Sequence, residues 1–212
     1  MWYEVQKRII DLVGGIILLI IFSPIMLATA IAIKLTSKGP VFADIPKRVG
    51  KKGKLFKLYK FRSMFVNAHS LIRTDPRFKK LYQEYKKSSY KLYKDPRVTK
   101  FGKYIRKYSI DETPQFLNVI KGEMSIVGPR AYFPDELEHQ QTKYLKTKPL
   151  VKEMLTVKPG ITGFWQVTGR SEVNFDKRIE MDAYYARKRS ILLDILILLK
   201  TPWAMISGKG AV

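Results

Sequence analysis

Twenty-two consecutive residues, Leu12 to Ile33, carry no charge. A helical run of that length can cross a bilayer. Ser23-Pro24 sits at its middle. Proline lacks a backbone donor and clashes with the carbonyl four residues earlier, so the pattern predicts a bend, with Ser23 as local partner for a freed carbonyl. Lys7 and Arg8 precede the run, and Lys34 and Lys38 follow it. Positive flanks favour the cytoplasmic side, and here both ends carry them. A spanning helix and a re-entrant hairpin in one leaflet both fit. The small residues "ATA" at 28–30 also resemble a signal-peptide cleavage site, although the run is long for one.

After this run the pattern changes. Residues 39–62 predict short strands with glycine turns, and "LFKLYKF" fits an exposed hairpin arm. Residues 67–94 are helical in character but very polar, with Tyr82, Tyr85, Tyr90 and Tyr93 among lysines. "DPRVTKFGKYIRKYS" (95–109) predicts a turn and then an amphipathic basic segment. A short helix follows over 114–121, with Thr113 as N-cap, Pro114 at its first position and Lys121-Gly122 at its end. "VKPGITGFWQVTGR" (157–170) predicts a structured loop or tight hairpin, and 173–190 a helix. "ILLDILILLK" (191–200) is too short to span and predicts a buried or interface-lying helix.

Charge adds a second theme. The 212-residue chain has a net charge of +22. Between Lys38 and Tyr108, 22 lysines and arginines face four acids, Asp44, Asp75, Glu84 and Asp95. Such a field attracts nucleic acid, anionic lipid or phosphorylated substrates. Tyrosines interleaved with the cations suit a membrane headgroup zone or single-stranded nucleic acid. The chain has no cysteine, which excludes disulfides, thiol nucleophiles and cysteine-ligated metals. Two histidines, His69 and His139, argue against a multi-histidine metal site.

Against this background, two adjacent acids stand out in "SIDETPQFLNVIKGEMSIVGPR". Asp111 and Glu112 precede a helix start, with Arg106 and Lys107 one turn upstream. Both influences lower carboxylate pKa values. An ionised Asp can attack phosphorus, and a neighbouring acid can help hold Mg²⁺ against substrate phosphates. The same letters also fit a capping box, with Ser109 as cap and Glu112 reaching back. Downstream, Gly128 permits close backbone approach to an anion and Arg130 offers a phosphate fork. Together these pieces are compatible with phosphoryl transfer.

Six segments in order, "KRIIDLVGGIILLIIFSPIML", "GPVF", "KRVGKKGKLFKLYKFRSM", "DPRVTKFGKYIRKYSIDETPQFLNVIKGEMSIVGPR", "KPGITGFWQVTGR" and "LLKTPWAMISGKGAV", resemble the bacterial sugar transferases, the monotopic phosphoglycosyl transferases. The resemblance covers nearly the whole chain. It implies an α+β, helix-dominated fold: a re-entrant membrane helix–break–helix over 1–38, broken at Ser23 and Pro24, and a cytoplasmic catalytic domain over 39–212 with short strands and interface-lying amphipathic helices. The chain would correspond to the catalytic core, without the extra N-terminal helices and domain of larger members.

The implied reaction moves a sugar 1-phosphate from a UDP-sugar to undecaprenyl phosphate and releases UMP. Asp111 matches the nucleophile and Glu112 the second acid, both associated with Mg²⁺. Lys60, Arg62, Arg106, Pro129 and Arg130 match positions around the diphosphate, and Arg170 and Asp182 fall in later motifs. The implied location is the cytoplasmic face of the bacterial inner membrane, with both termini cytoplasmic and anionic lipid as a partner. No nucleic acid is implied; a membrane-anchored nucleic-acid binder is the alternative. A homodimer stays open. Two positions depart from the family pattern, "FADIPK" before "RVG" and Thr113 where leucine is common. The ending is closer to hexose-phosphate transferases, which favours glucose or galactose.

Overall fold

The computed structural model describes residues 2–88, 90, 92, 94–168 and 173–206. Helices dominate, joined to two pairs of very short strands. The N-terminal helix α1 runs from Trp2 to Thr36, and its helical geometry continues through Pro24. The expected division into two helices is therefore absent from the secondary structure. The reason is local. Pro24 has no N–H for the carbonyl of Ile20, and the Ser23 hydroxyl donates to that carbonyl at 2.8 Å. The predicted role of Ser23 as substitute donor holds.

Both halves of α1 are clasped by the rest of the protein. Before the proline, Gly14 and Gly15 lie against Ile126 and Val119. The Arg8 guanidinium donates to the carbonyls of Val119 and Ile120 at 2.8 Å each, capping the end of α5 (Phe116–Lys121). After the proline, Met26, Ala30 and Ile33 pack with Phe61 and Ile105. The outward stripe of α1, including Ile9, Val13, Ile17, Ile20, Ile21 and Leu27, is exposed. An apolar stripe of that extent on a protein surface marks a membrane or partner contact.

Strands β1 (Arg48–Val49) and β2 (Leu55–Phe56) form an antiparallel hairpin around a tight turn at Lys51–Gly53. The predicted hairpin exists, and its arm is exposed on one face only: Leu55 and Lys57 are exposed, whereas Phe56 and Leu58 are buried. Beyond β2 the chain runs through the interior, burying Leu58, Phe61, Arg62 and Ser63. Strands β3 (Ser125–Val127) and β4 (Gly160–Thr162) pair in parallel, so the predicted loop or hairpin at 157–170 is in part a strand with a distant partner. It continues into α8 (Phe164–Thr168). The chains cross very closely at two glycines: a Cβ on Gly128 would lie 2.4 Å from the Lys158 carbonyl, and one on Gly160 2.0 Å from the Gly128 nitrogen. Gly128 thus serves this crossing, and its N–H is spent on the Thr162 carbonyl at 2.9 Å rather than on an anion.

The polar stretch 67–94 folds over one side as α2 (Ala68–Thr74) and α3 (Lys79–Lys87). Tyr85 and Tyr90 are not surface platforms; with Ile72 and Leu92 they form a small core of their own. Tyr93 lies outside the described residues. α4 (Lys100–Lys107) is the expected basic helix, with the Thr99 side chain accepting from Gly102 N–H. α6 (Pro134–Lys143), α7 (Lys148–Met154) and α9 (Phe175–Lys188) enclose a second core around Phe175 and Ile179. α10 (Ile191–Ile206) buries Asp194 and Ile197 and exposes Leu192, Ile195, Leu196, Leu199 and Trp203.

Candidate active site

One cavity of about 880 Å³ runs between α1, α10 and the interior segment 58–67. Its wall is mixed. Leu18, Phe22, Phe116, Ile161, Leu198 and Pro202 contribute apolar surface. Arg48, Lys60, Arg106, Asp111, Glu112 and Arg130 contribute charge. That size and mixture suit a ligand with both apolar and anionic parts.

The dyad sits on a single 3₁₀ turn, Ile110–Gln115, directly before α5. Ser109 adopts φ 55° and makes no side-chain cap, so the capping-box alternative is not realised. Thr113 lies inside this turn, its hydroxyl donating to the Ile110 carbonyl at 2.9 Å, so it does not cap α5 and Pro114 does not open it. The predicted end at Gly122 is correct, with φ 79°. The Asp111 carbonyl accepts from Phe61 N–H at 2.9 Å, which fixes the neighbouring Lys60 beside the acids. Lys60 Nζ is 3.0 Å from Asp111 Oδ2 and 3.0 Å from Glu112 Oε1.

The two acids differ in surroundings. Asp111 is 2% exposed. Burial pushes its pKa above the ordinary aspartate value, and Lys60 only partly offsets this. For Glu112 burial acts the same way, but Lys60, Arg130 and Arg48 outweigh it and hold the pKa below the usual value. The expectation that both would be lowered is right for Glu112 and wrong for Asp111, because a buried carboxylate loses more hydration than one cation restores. Burial also opposes the Lys60 charge, yet the two carboxylates hold its pKa above the ordinary lysine value.

The other predicted residues separate into two groups. Arg106 and Arg130 line the same cavity as the dyad. The Arg62 side chain also borders the cavity but donates to the Lys38 and Ser37 carbonyls at 2.8 and 3.1 Å, capping the end of α1. The Pro129 carbonyl accepts from Gly160 N–H at 2.8 Å. Asp182 is fully buried behind the loop, accepting from Tyr132 O–H at 3.0 Å and Arg130 N–H at 3.3 Å. Burial pushes its pKa up to about 7. Arg170 lies outside the described residues.

A metal ion at the dyad would find two adjacent carboxylates. Among the described residues no group of three or more His, Asp or Glu side chains is placed to share an ion. Such a donor set fits Mg²⁺, which takes one or two carboxylates and completes its shell with substrate phosphates and water.

The family model for bacterial sugar transferases matches residues 2–208. The chain belongs to the bacterial sugar transferase family. Among similar proteins, the undecaprenyl-phosphate galactose phosphotransferase of Salmonella typhimurium is 41% identical over 209 residues, covering 97% of this chain and 41% of that protein. An uncharacterized sugar transferase of Haemophilus influenzae is 40% identical over 212 residues, 98% of this chain and 42% of that protein. The exopolysaccharide production protein ExoY of Sinorhizobium fredii is 36% identical, with 98% and 88% covered. The chain thus spans about two-fifths of the first two bacterial sugar transferases and most of the third.

Two site residues of this sugar transferase had escaped sequence reasoning. Arg48 stacks over Phe133, 3.3 Å from the ring centroid, and donates to the Ala131 carbonyl at 3.0 Å. Burial and Arg130 push its pKa down to about 10. Nothing separates it by composition from the lysines around it. Asn118 is fully buried. It accepts from Tyr59 N–H at 2.9 Å and donates to the Lys57 carbonyl at 2.8 Å, clamping the segment that carries Lys60 onto α5. An amide amid the apolar residues of "QFLNVIK" was the available signal.

Proposed function

We propose that this protein transfers a sugar 1-phosphate, from a UDP-hexose such as UDP-glucose or UDP-galactose, to undecaprenyl phosphate. The observation that carries this reading is the buried Asp111 beside Lys60 and Glu112, in a cavity lined by both cationic and apolar side chains. Asp111 Oδ attacks the phosphorus that bears the sugar. The P–O bond to the α-phosphate breaks, UMP leaves, and an aspartyl phosphosugar remains. An oxygen of the lipid phosphate then attacks the same phosphorus. The acyl–phosphate bond breaks, the carboxylate returns, and a polyprenyl diphosphate sugar departs. The names of relatives agree with the reaction, including the Salmonella enzyme above and an undecaprenyl-phosphate glucose phosphotransferase of Komagataeibacter xylinus, 37% identical.

The chain's own residues divide the work. Lys60, Arg106, Arg48 and Arg130 hold the diphosphate and spread its charge in the transition state. Burial strips water from Asp111 and raises its ground-state energy as an anion. Mg²⁺, held by Asp111 and Glu112, would neutralise phosphate charge when bound. The apolar lining from Leu18, Phe22 and Leu198 suits the first isoprene units of the acceptor.

The same reading places the protein on the cytoplasmic face of the bacterial inner membrane. Both ends of α1 are held by the catalytic domain, through Arg8 at one end and Arg62 at the other. A helix that crossed the bilayer would carry one end away. A re-entrant α1, entering and leaving one leaflet, keeps both. Nucleic-acid binding gains no support, since Tyr85 and Tyr90 are core residues.

UMP release by the purified protein with Mg²⁺, undecaprenyl phosphate and a panel of UDP-sugars tests the reaction. Asp111→Asn should abolish it. Full activity of that variant, or no UMP from any sugar, would overturn the mechanism.

A further inference from the structure

Strand β3 leads directly into the loop that carries Arg130, and its two edges are held by different means. Toward β4 the chain is tied by backbone bonds: Ser125 N–H to the Pro159 carbonyl at 2.8 Å, Gly128 N–H to Thr162 at 2.9 Å, and Gly160 N–H to Pro129 at 2.8 Å. Among the described residues the other edge has no strand beside it. Side chains take its place. Ile126 N–H donates to Asp11 Oδ1 at 2.9 Å. The Ser125 hydroxyl lies 2.9 Å from the same Asp11 oxygen and 2.8 Å from the Val127 carbonyl. The Tyr185 hydroxyl reaches that carbonyl at 3.1 Å and Asp194 Oδ1 at 2.6 Å.

Asp11 belongs to α1, the helix that faces lipid, yet it is 1% exposed. Lys7 Nζ stands 3.6 Å from it and 2.9 Å from Asp194 of α10. A buried carboxylate is costly unless it is paired and hydrogen-bonded, and Asp11 Oδ1 has Ile126 N–H, the Ser125 hydroxyl and Lys7 about it. Three residues of β3 would be a marginal strand with one open edge. Its position is thus set by carboxylates and a phenol from α1, α9 and α10. Arg130 follows Val127 by three residues and lines the same cavity as Asp111 and Glu112, so its placement bears on the dyad.

We propose that Asp11 is a positioning residue for the Arg130 loop, so that the membrane helix sets the geometry of the phosphate site as well as anchoring it. The inference rests on the transferase reading, in which Arg130 contacts the diphosphate. Asp11 touches no substrate. It acts by completing the free edge of β3, with Tyr185 as the second support.

The test is a thermodynamic cycle in the full-length, membrane-bound protein. UMP release is measured for wild type, Asp11→Ala, Asp11→Asn, Arg130→Lys and the double variant Asp11→Ala/Arg130→Lys. Asp11→Ala should lower kcat/KM roughly 10- to 100-fold, the scale of a displacement of about 1 Å at a reacting group. Asp11→Asn keeps an acceptor for Ile126 N–H and should recover most of that loss. In the Arg130→Lys background the Asp11→Ala penalty should shrink at least threefold, because coupled residues are non-additive. Should Asp11→Ala fail to fold, Tyr185→Phe removes only a hydroxyl and should show a smaller loss with the same dependence on Arg130. A penalty of equal size in both backgrounds, or none in either, overturns the inference while leaving the transferase reading intact. A wild-type protein that releases no UMP from any donor overturns both.

Discussion

Lys60 and Asp111 meet at 3.0 Å in the cavity, and the same ammonium stands 3.0 Å from Glu112. Asp111 is the more deeply buried partner, so it depends on Lys60 for its charge. Removing Lys60 should raise the Asp111 pKa further. Lys60→Met is expected to lose about 10²-fold in kcat, the scale of one preorganised electrostatic contact. In the proposed mechanism Asp111 attacks as the anion, so the acid limb of the wild-type rate profile should lie above the ordinary aspartate range. In Lys60→Met that limb should move to still higher pH. A pH–rate series for both proteins checks this, and an unshifted limb would show that Lys60 does not set the charge.

Asp182 carries a pH signature of its own. Its pKa is about 3.9 in an unfolded chain and about 7 in the fold. Between those values the folded protein holds a proton that the unfolded chain has released, so stability falls as pH rises. The contribution is complete below about pH 4 and lost on passing pH 7. Asp182→Asn cannot titrate. The Tm difference, wild type minus variant, should therefore fall from pH 4 to pH 7 and level off above. Thermal unfolding in detergent across that range is the measurement; a constant difference would contradict the buried, protonated carboxyl.

Asn118 holds two backbone groups of the segment that carries Lys60, Tyr59 N–H and the Lys57 carbonyl. Asn118→Ala should cost about 2–4 kcal/mol, the penalty for buried polar groups left unpaired. Activity should fall with it, since Lys60 rides on the released segment. Denaturant unfolding and UMP release on the same preparation would separate the two effects.

Topology has a direct measurement. Single cysteines at Trp2→Cys and Ser70→Cys, both exposed positions, should resist an impermeant thiol label in intact cells and react after lysis. Labelling of the first site from outside would mean that α1 spans the bilayer.

Much of the architecture follows from local pattern. The uncharged run, the helix over 173–190 and the basic α4 needed only periodicity and capping residues. The acid pair could be located for the same reason: carboxylates are scarce in this chain, and a helix start beside cations is a short-range feature. What stayed hidden is decided by tertiary contact. β3 and β4 are three residues each and pair across more than thirty residues of chain, too short for an alternating pattern to show. Arg62 and Arg48 lie among many cations, and only the folded chain assigns one to a helix end and the other to the cavity wall. Asp182 looked like a ligand-facing acid, but α9 turns it inward beneath the loop. The tyrosines of 67–94 are apolar enough to make a core once α2 and α3 pack together, which composition alone does not disclose.

The clasping of α1 bears on how this protein could be handled outside a membrane. Deleting the helix would remove more than an anchor. It would open one wall of the cavity at Leu18 and Phe22, uncap α5 where Arg8 sits, and strip Ile126 of its hydrogen-bond acceptor. A water-soluble version would have to keep α1 whole and replace only its outward stripe and that of α10 with polar residues. The boundary between the outward apolar surface and the packed core therefore runs along the length of a helix, not across the chain.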